Sequence, residues 1–582
     1  MNGGASHRPP TPVRAASTLT VLPAPSDVRD ATDAAGGADW AGTTGTPPLP
    51  GRRQSGAASS ARNAAVMAAG TTISRLSGFA RVLTVGWVLG QGGLSDAYNQ
   101  ANTVPNTIYE LLLGGVLSAT LLPVLMQSLA RDDNESDSDA VPAVVSFLTV
   151  VLALATVLFW VAAPVIIDFY FLLKPAGGSG PAEKALATTW LRLFTPQLLF
   201  IGLITITTAL LNARRRFGSV AFSPIVANLV TIAALVAADR LVPHGSVSAY
   251  SHDTTVVGIV GIGTTAGYLA QLAAQLPALL RAGIPLRVRW YPRHPALRTI
   301  GRLSGWTVGA VLTNQVSFTL LTVLALARGN GDYSAFSYAY AFMLLPHAVM
   351  AVSIAYAVAP DLAELWSGGD REAFAARTGY ALRLTALLLL PAGVGYALLA
   401  RPVVVVALAH GNLRLSSADL TASLLVILAL GLPGFSTYLL LMRAFQSKQD
   451  TRSMFWLYAL ENALTVVSAL ALYPDFGIRG LTAAWIGSYT VVLPFAWWRL
   501  RQSAPVAVAG LWWARAVAAT GVMAAVVGGT LYLVPSSPSL VLSVARLCFV
   551  VAVGGAVFIL ASRALGLKEL TGLRMPGRLA AR

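Results

Sequence analysis

The 582-residue sequence predicts an all-α polytopic membrane protein of about 14 transmembrane helices, with two six-helix lobes related by a parallel pseudo-twofold repeat and a C-terminal helix pair. Three observations carry this. The chain is 55% hydrophobic and only 11% charged, against about 25% charged in a soluble domain. Apolar stretches of about 20 residues, each enough to span a bilayer, recur along it. A motif in the first stretch returns in the seventh.

Residues 1–61, rich in Ala, Gly, Pro, Ser and Thr, read as a disordered cytoplasmic tail without a signal-peptide run. Apolar stretches then fall at about 63–89, 97–129, 141–173, 185–212, 219–240 and 255–280, forming an N-lobe over 62–281. A C-lobe over 282–502 holds those at about 297–327, 333–366, 376–409, 417–445, 453–473 and 478–498. The final pair, about 507–533 and 539–564, occupies 503–566, and 567–582 form a second cytoplasmic tail. Stretches 2, 8 and 9 exceed what ~30 Å of hydrocarbon requires. Pro105, Pro346 and Pro391 are their expected kinks, because a mid-helix proline removes a backbone hydrogen bond.

Loops after even-numbered stretches hold most of the arginines, among them Arg214, Arg215, Arg216, Arg281, Arg287 and Arg289. The positive-inside rule then places both termini in the cytoplasm. The acidic loop RDDNESDSDA, 131–140, lies on the same side, but acidic residues weigh little in that rule. The net charge of +16 therefore reflects topology, and no nucleic-acid partner is expected.

The repeat is short but placed alike in both halves. Arg75-Leu76-Ser77-Gly78-Phe79 returns as Arg302-Leu303-Ser304-Gly305-Trp306, and Ala97 and Pro105 match Ala335 and Pro346. Six stretches separate the copies, so both halves share one orientation, a plan used by transporters that rock about a central site.

Ionisable side chains at membrane depth cost roughly 3 kcal/mol each on insertion scales, so they face a bundle interior or a cavity. The hairpin over 74–123 carries Arg75, Arg81, Asp96 and Glu110, and is expected to line the working cavity. Arg75 and Arg81 lie about 60° either side of Gly78 on a helix, roughly 9 Å apart along its axis. Their planar, always-charged forks suit phosphate oxygens. They form an anion site for phosphate or diphosphate, or else snorkel to the surface or pair with Asp96 or Glu110. Arg302, the repeat counterpart, joins that site or closes a basic loop. Asn99, Asn102, Asn106 and Glu110 share an arc of roughly 80°, which suits a polar head group or a wet helix interface. Glu461 is a lone carboxylate, read as an ion-coupling or proton site or as a partner for Arg443 or Arg383.

Enzyme chemistry finds no support. GxxxxGK[ST] and HExxH are absent from the sequence, and the six histidines, at 7, 244, 252, 294, 347 and 410, are scattered. The sole cysteine, Cys548, excludes an intramolecular disulfide and a cysteine metal site. No catalytic residue, metal or cofactor is expected.

Several blocks carry a family likeness: SRLSGFAR at 74–81, SDAY at 95–98, VPN at 104–106, GGVLSATLLPVL at 114–125, LLNARRRF at 210–217, NQVS at 314–317 and FQSKQDTR at 445–452. At these residues the sequence resembles the MurJ/MviN family, lipid II flippases of the multidrug/oligosaccharidyl-lipid/polysaccharide exporter superfamily, as a divergent actinobacterial-type member. The resemblance spans about 62–500. It implies alternating-access transfer of an undecaprenyl-diphosphate-linked peptidoglycan precursor (lipid II) from the inner to the outer face of a bacterial plasma membrane, for cell-wall biogenesis. It also implies a central cavity between the lobes and a groove at the final helix pair for the polyprenyl tail. The family's cavity arginines fall on Arg75 and Arg81, and its cavity aspartate on Asp96. This chain departs from the family where better-known members have an arginine pair, here Tyr109 and Glu110, and where they have aspartate-arginine, here Tyr340 and Ala341. The cavity is thus expected to be less positive. Export of another lipid-linked glycan or amphipathic small molecule stays open, as does a non-transporting scaffold that recruits cell-wall synthesis proteins. A lipid-linked diphosphate glycan and membrane lipids are the expected partners.

Overall fold

The structure is a computed structural model that describes residues 52–111, 140–175, 180–214, 216–283, 291, 305–506, 510–535, 537, 539–567 and 569. Among the described residues it is built from helices alone, without a strand. The N-lobe holds α1 (Arg52–Leu89), α2 (Gly93–Tyr109), α3 (Ala140–Tyr170), α4 (Gly180–Phe194), α5 (Gln197–Ala213), α6 (Phe217–Leu241), the short α7 (Val247–His252) and α8 (Thr254–Arg281). The C-lobe holds α9 (Gly305–Arg328), α10 (Asp332–Pro346), a π turn (His347–Val352), α11 (Ser353–Ser367), α12 (Arg371–Leu408), α13 (Leu415–Ser447) and α14 (Thr451–Arg501). α15 (Gly510–Leu533) and α16 (Leu540–Ala564) form the final pair.

Eleven continuous helical stretches among the described residues are long and apolar enough to cross a membrane. One of them, α14, is two spans. Gly477 breaks it at φ 56, and the chain reverses there, because Thr465 and Ser488 on either side of the break hydrogen-bond at 2.6 Å. With α1 and α2 the number comes to about fourteen. Side chains such as Val165, Leu172, Val467 and Val541 stay exposed around the bundle, as a lipid-facing surface requires.

Prolines act differently at the three expected kinks. α2 runs through Pro105 and ends in a π-type pair at 110–111. α10 ends at Pro346, where the π turn begins; such turns locally widen a helix and often mark functional sites. α12 is unbroken through Pro391. A further break, at Thr195 and Pro196, divides the fourth stretch into α4 and α5.

Each lobe packs around buried aromatic and aliphatic side chains. In the N-lobe Tyr98 meets Trp190 and Phe194 edge-on, with centroids at 5.8 and 5.5 Å, and the Trp190 indole donates to the Val257 carbonyl at 3.2 Å. In the C-lobe Phe374, Phe445 and Leu362 are buried together. The final pair docks on α12 through Leu387, Leu399, Met523, Val527 and Phe558.

Candidate functional site

Helix α1 supplies the positive side chains. Its C-terminal end, Leu89, lies at the junction between the lobes, so Arg81 sits about 12 Å and Arg75 about 21 Å back along the axis. Both line one cavity of about 530 Å³, together with Gly78 of α1, Phe217 and Pro224 of α6, and Ala341 and Leu344 of α10. The cavity thus lies between the lobes. Asn228 of α6 donates to the Ser77 hydroxyl at 2.9 Å, holding α1 to α6 between the two arginines. Arg81 is within electrostatic reach of the phenols of Tyr268 and Tyr98. Among the described residues, neither arginine has a carboxylate partner. Of the alternatives open for these arginines, pairing with Asp96 or Glu110 is not what the structure places there.

Asp96 has a different setting. It is fully buried at the start of α2, where one carboxylate oxygen accepts from the Gly331 backbone N–H at 2.6 Å. The other accepts from the Ser334 N–H at 2.9 Å and the Ser334 hydroxyl at 2.7 Å. Three donors to an anion make strong, short bonds, and here they tie an N-lobe helix to the start of a C-lobe helix. Asn99 donates to the Ser334 hydroxyl at 3.1 Å, and Thr103 meets the Tyr333 phenol at 3.0 Å. Tyr338 donates to the Gly90 carbonyl at 2.8 Å, Trp87 to the Ala407 carbonyl at 2.8 Å, and the Asn412 N–H to the Trp87 carbonyl at 2.7 Å. Glycine makes this closeness possible. At Gly331, φ is 95 and a Cβ would stand 2.9 Å from the Gln91 carbonyl carbon, a position no other residue fills without strain. Beside the junction Lys174 bonds Glu183 at 2.6 Å, both side chains nearly inaccessible.

The asparagine face is divided along its length. Asn99 serves the junction, the Asn102 carbonyl oxygen is buried without a hydrogen-bond partner, and Asn106 and Glu110 open into a second cavity of about 370 Å³. That cavity lies on the C-lobe side and includes Tyr340, Phe435, Trp485 and Tyr489. Glu461 is 1% exposed. One of its oxygens accepts from the Ser488 hydroxyl at 3.0 Å, to which Thr465 donates at 2.6 Å, and the other is buried without a partner. The two suggested counter-charges are engaged elsewhere: Arg383 bonds Glu569 at 2.9 Å, and Arg443 lies over the Tyr356 ring at 4.8 Å. Arg302 lies outside the described residues. Among the described residues there is no group of His, Cys, Asp and Glu fit to hold a metal.

Sequence reasoning missed Gly331, Ser334, Trp485 and Tyr489. Gly331 is the glycine of an Asn-Gly turn that reads only as a loop, and Ser334 follows it; the last two sit in an apolar helix where aromatics look like core.

The family profile described as "Lipid II flippase MurJ" matches residues 86–551. A "Probable lipid II flippase MurJ" of Rhizobium meliloti (strain 1021) is 26% identical over 443 residues, covering 74% of this chain and 80% of the relative. A "Lipid II flippase MurJ" of Burkholderia cenocepacia is 26% identical over 420 residues, covering 71% of this chain and 78% of the relative. Among solved structures, "Lipid II flippase MurJ, inward closed conformation" superposes with a TM-score of 0.70 at 17% identity, over 87% of this chain and 99% of that one. An inward-facing multidrug resistance MATE family transporter superposes at 0.58 with 15% identity, over 74% and 98%. These two likenesses are of fold.

Proposed function

The chain belongs to the family of MurJ lipid II flippases, and we propose that it flips lipid II across the bacterial plasma membrane with Arg75 and Arg81 holding the diphosphate. The observation that carries the site is the pair of arginines facing one inter-lobe cavity without a carboxylate partner among the described residues. Two unneutralised guanidiniums at membrane depth are costly. A diphosphate relieves that cost with oxygens that match both forks. No bond is made or broken in such a cycle; the cargo crosses because the cavity opens first to one face and then to the other.

With both termini in the cytoplasm, the Asp96 junction closes the outer face and the arginine cavity serves the inner one. Release outside requires Asp96 to part from Gly331 and Ser334. The asparagine face contributes Asn106, and with it Glu110, to the head group's surroundings, while Asn99 and Asp96 act at the junction. Arg302 is a third candidate for the diphosphate. Glu461 is the candidate coupling site, since one buried oxygen lacks a donor and invites a proton or cation. Glu461→Gln is then expected to slow transport under an ion gradient and leave lipid binding unchanged.

The test is depletion of the protein in its host, with lipid-linked precursor quantified on each membrane face. Precursor accumulates inside and is cleared by the wild type but not by Arg75→Ala. Unchanged sidedness on depletion would refute the lipid II assignment.

A further inference from the structure

The second cavity has the opposite chemistry to the first. Its charged lining residue is Glu110, and no Arg, Lys or His is among the described residues that line it. Among the described residues Glu110 has no ion-pair partner. Around it stand the amides of Asn106, Asn314 and Gln315 and a wall of aromatic rings. Trp485 is the centre of that wall. Its centroid lies 5.8 Å from Phe336, 5.4 Å from Tyr340, 5.7 Å from Phe435 and 5.7 Å from Tyr489. Phe336 and Tyr340 stack with an interplanar angle of 6°. Trp485 is only half-buried, so the box has an open side.

We propose that this cavity is a binding site for an ammonium group on the cargo's head group, held by the Glu110 carboxylate and the faces of the Trp485 box. Aromatic faces carry negative charge density and attract cations, most strongly where water is displaced. The carboxylate supplies the matching full charge, and the amide oxygens accept the ammonium's hydrogens. A neutral sugar would also stack on these rings, but it leaves Glu110 without a counter-charge. A phosphate is repelled by it.

The two cavities share a wall. Tyr340 lines the acidic one and Ala341, the next residue of α10, lines the basic one. One dipolar head group can therefore place its diphosphate against Arg75 and Arg81 and its ammonium against Glu110. The inference rests on the flippase reading.

The experiment measures binding to the full chain in nanodiscs with three probes: undecaprenyl diphosphate, the same lipid bearing a disaccharide pentapeptide with a free side-chain amine, and that compound with the amine acetylated. The free amine is expected to bind about tenfold tighter than the acetylated form, of the order a desolvated cation–π contact supplies. Glu110→Gln and Trp485→Leu erase that difference, and Arg75→Ala weakens all three probes alike. Equal affinity of the free and acetylated forms for the wild type would overturn the ammonium site while leaving the flippase reading intact. Failure of every diphosphate probe would overturn the flippase reading. Tetraethylammonium titrated into wild type and Glu110→Gln then decides the cavity: saturable binding lost in the variant supports it, and no binding overturns it.

Discussion

The first helical hairpin uses charge in two opposite ways within a short length of chain. Asp96 is fully buried and spends both oxygens on three donors from the other lobe. Arg75 and Arg81 face a cavity and find no carboxylate among the described residues. A buried charge that is fully hydrogen-bonded holds structure together, while one that lacks a counter-charge marks where a ligand supplies it. The sequence places all three residues on one apolar hairpin, and only their partners separate the inter-lobe junction from the proposed diphosphate site.

Substitutions sharpen this contrast in order of expected effect. Asp96→Ala strands three buried donors at about 1–3 kcal/mol each, so the junction opens. Spin labels at His244 and Arg414 should report a longer distance between the lobes, and an unchanged distance would remove Asp96 from the lock. Arg75→Ala or Arg81→Ala removes charge-assisted bonds worth about 1.5–3 kcal/mol, and diphosphate-lipid binding should weaken at least about tenfold with the label distance unaltered. Ser334→Ala leaves Asp96 its two backbone donors and should cost the junction about 1 kcal/mol, seen as a smaller shift of the same distance distribution. Asp361→Asn breaks a half-exposed pair with Arg377. It should change thermal stability by less than about 1 kcal/mol and leave both readouts alone.

Much of the architecture was legible because a bilayer imposes its thickness on sequence. Where residues are described, the apolar stretches fall on helices, while 112–129 and 297–304 lie outside the described residues; helical spacing put Arg75 and Arg81 on one side of α1. The partners were not legible. Gly331 is 235 residues from Asp96, and periodicity gives a side chain's direction without saying which helix stands there. For the same reason the asparagine face looked like one surface, although its residues meet the junction at one height and a cavity at another. Thr195 and Pro196 interrupt a stretch whose hydropathy is continuous, whereas Pro391 leaves α12 unbroken, because a proline's missing hydrogen bond is a local loss that surrounding packing can absorb.

The most direct test of the division between site and lock combines undecaprenyl diphosphate affinity with the distance between labels at His244 and Arg414, in nanodiscs, for Arg75→Ala and Asp96→Asn. Arg75→Ala should lose affinity at constant distance, and Asp96→Asn should lengthen the distance. Lost affinity at an unchanged distance in Asp96→Asn would place the aspartate in the site and contradict the account.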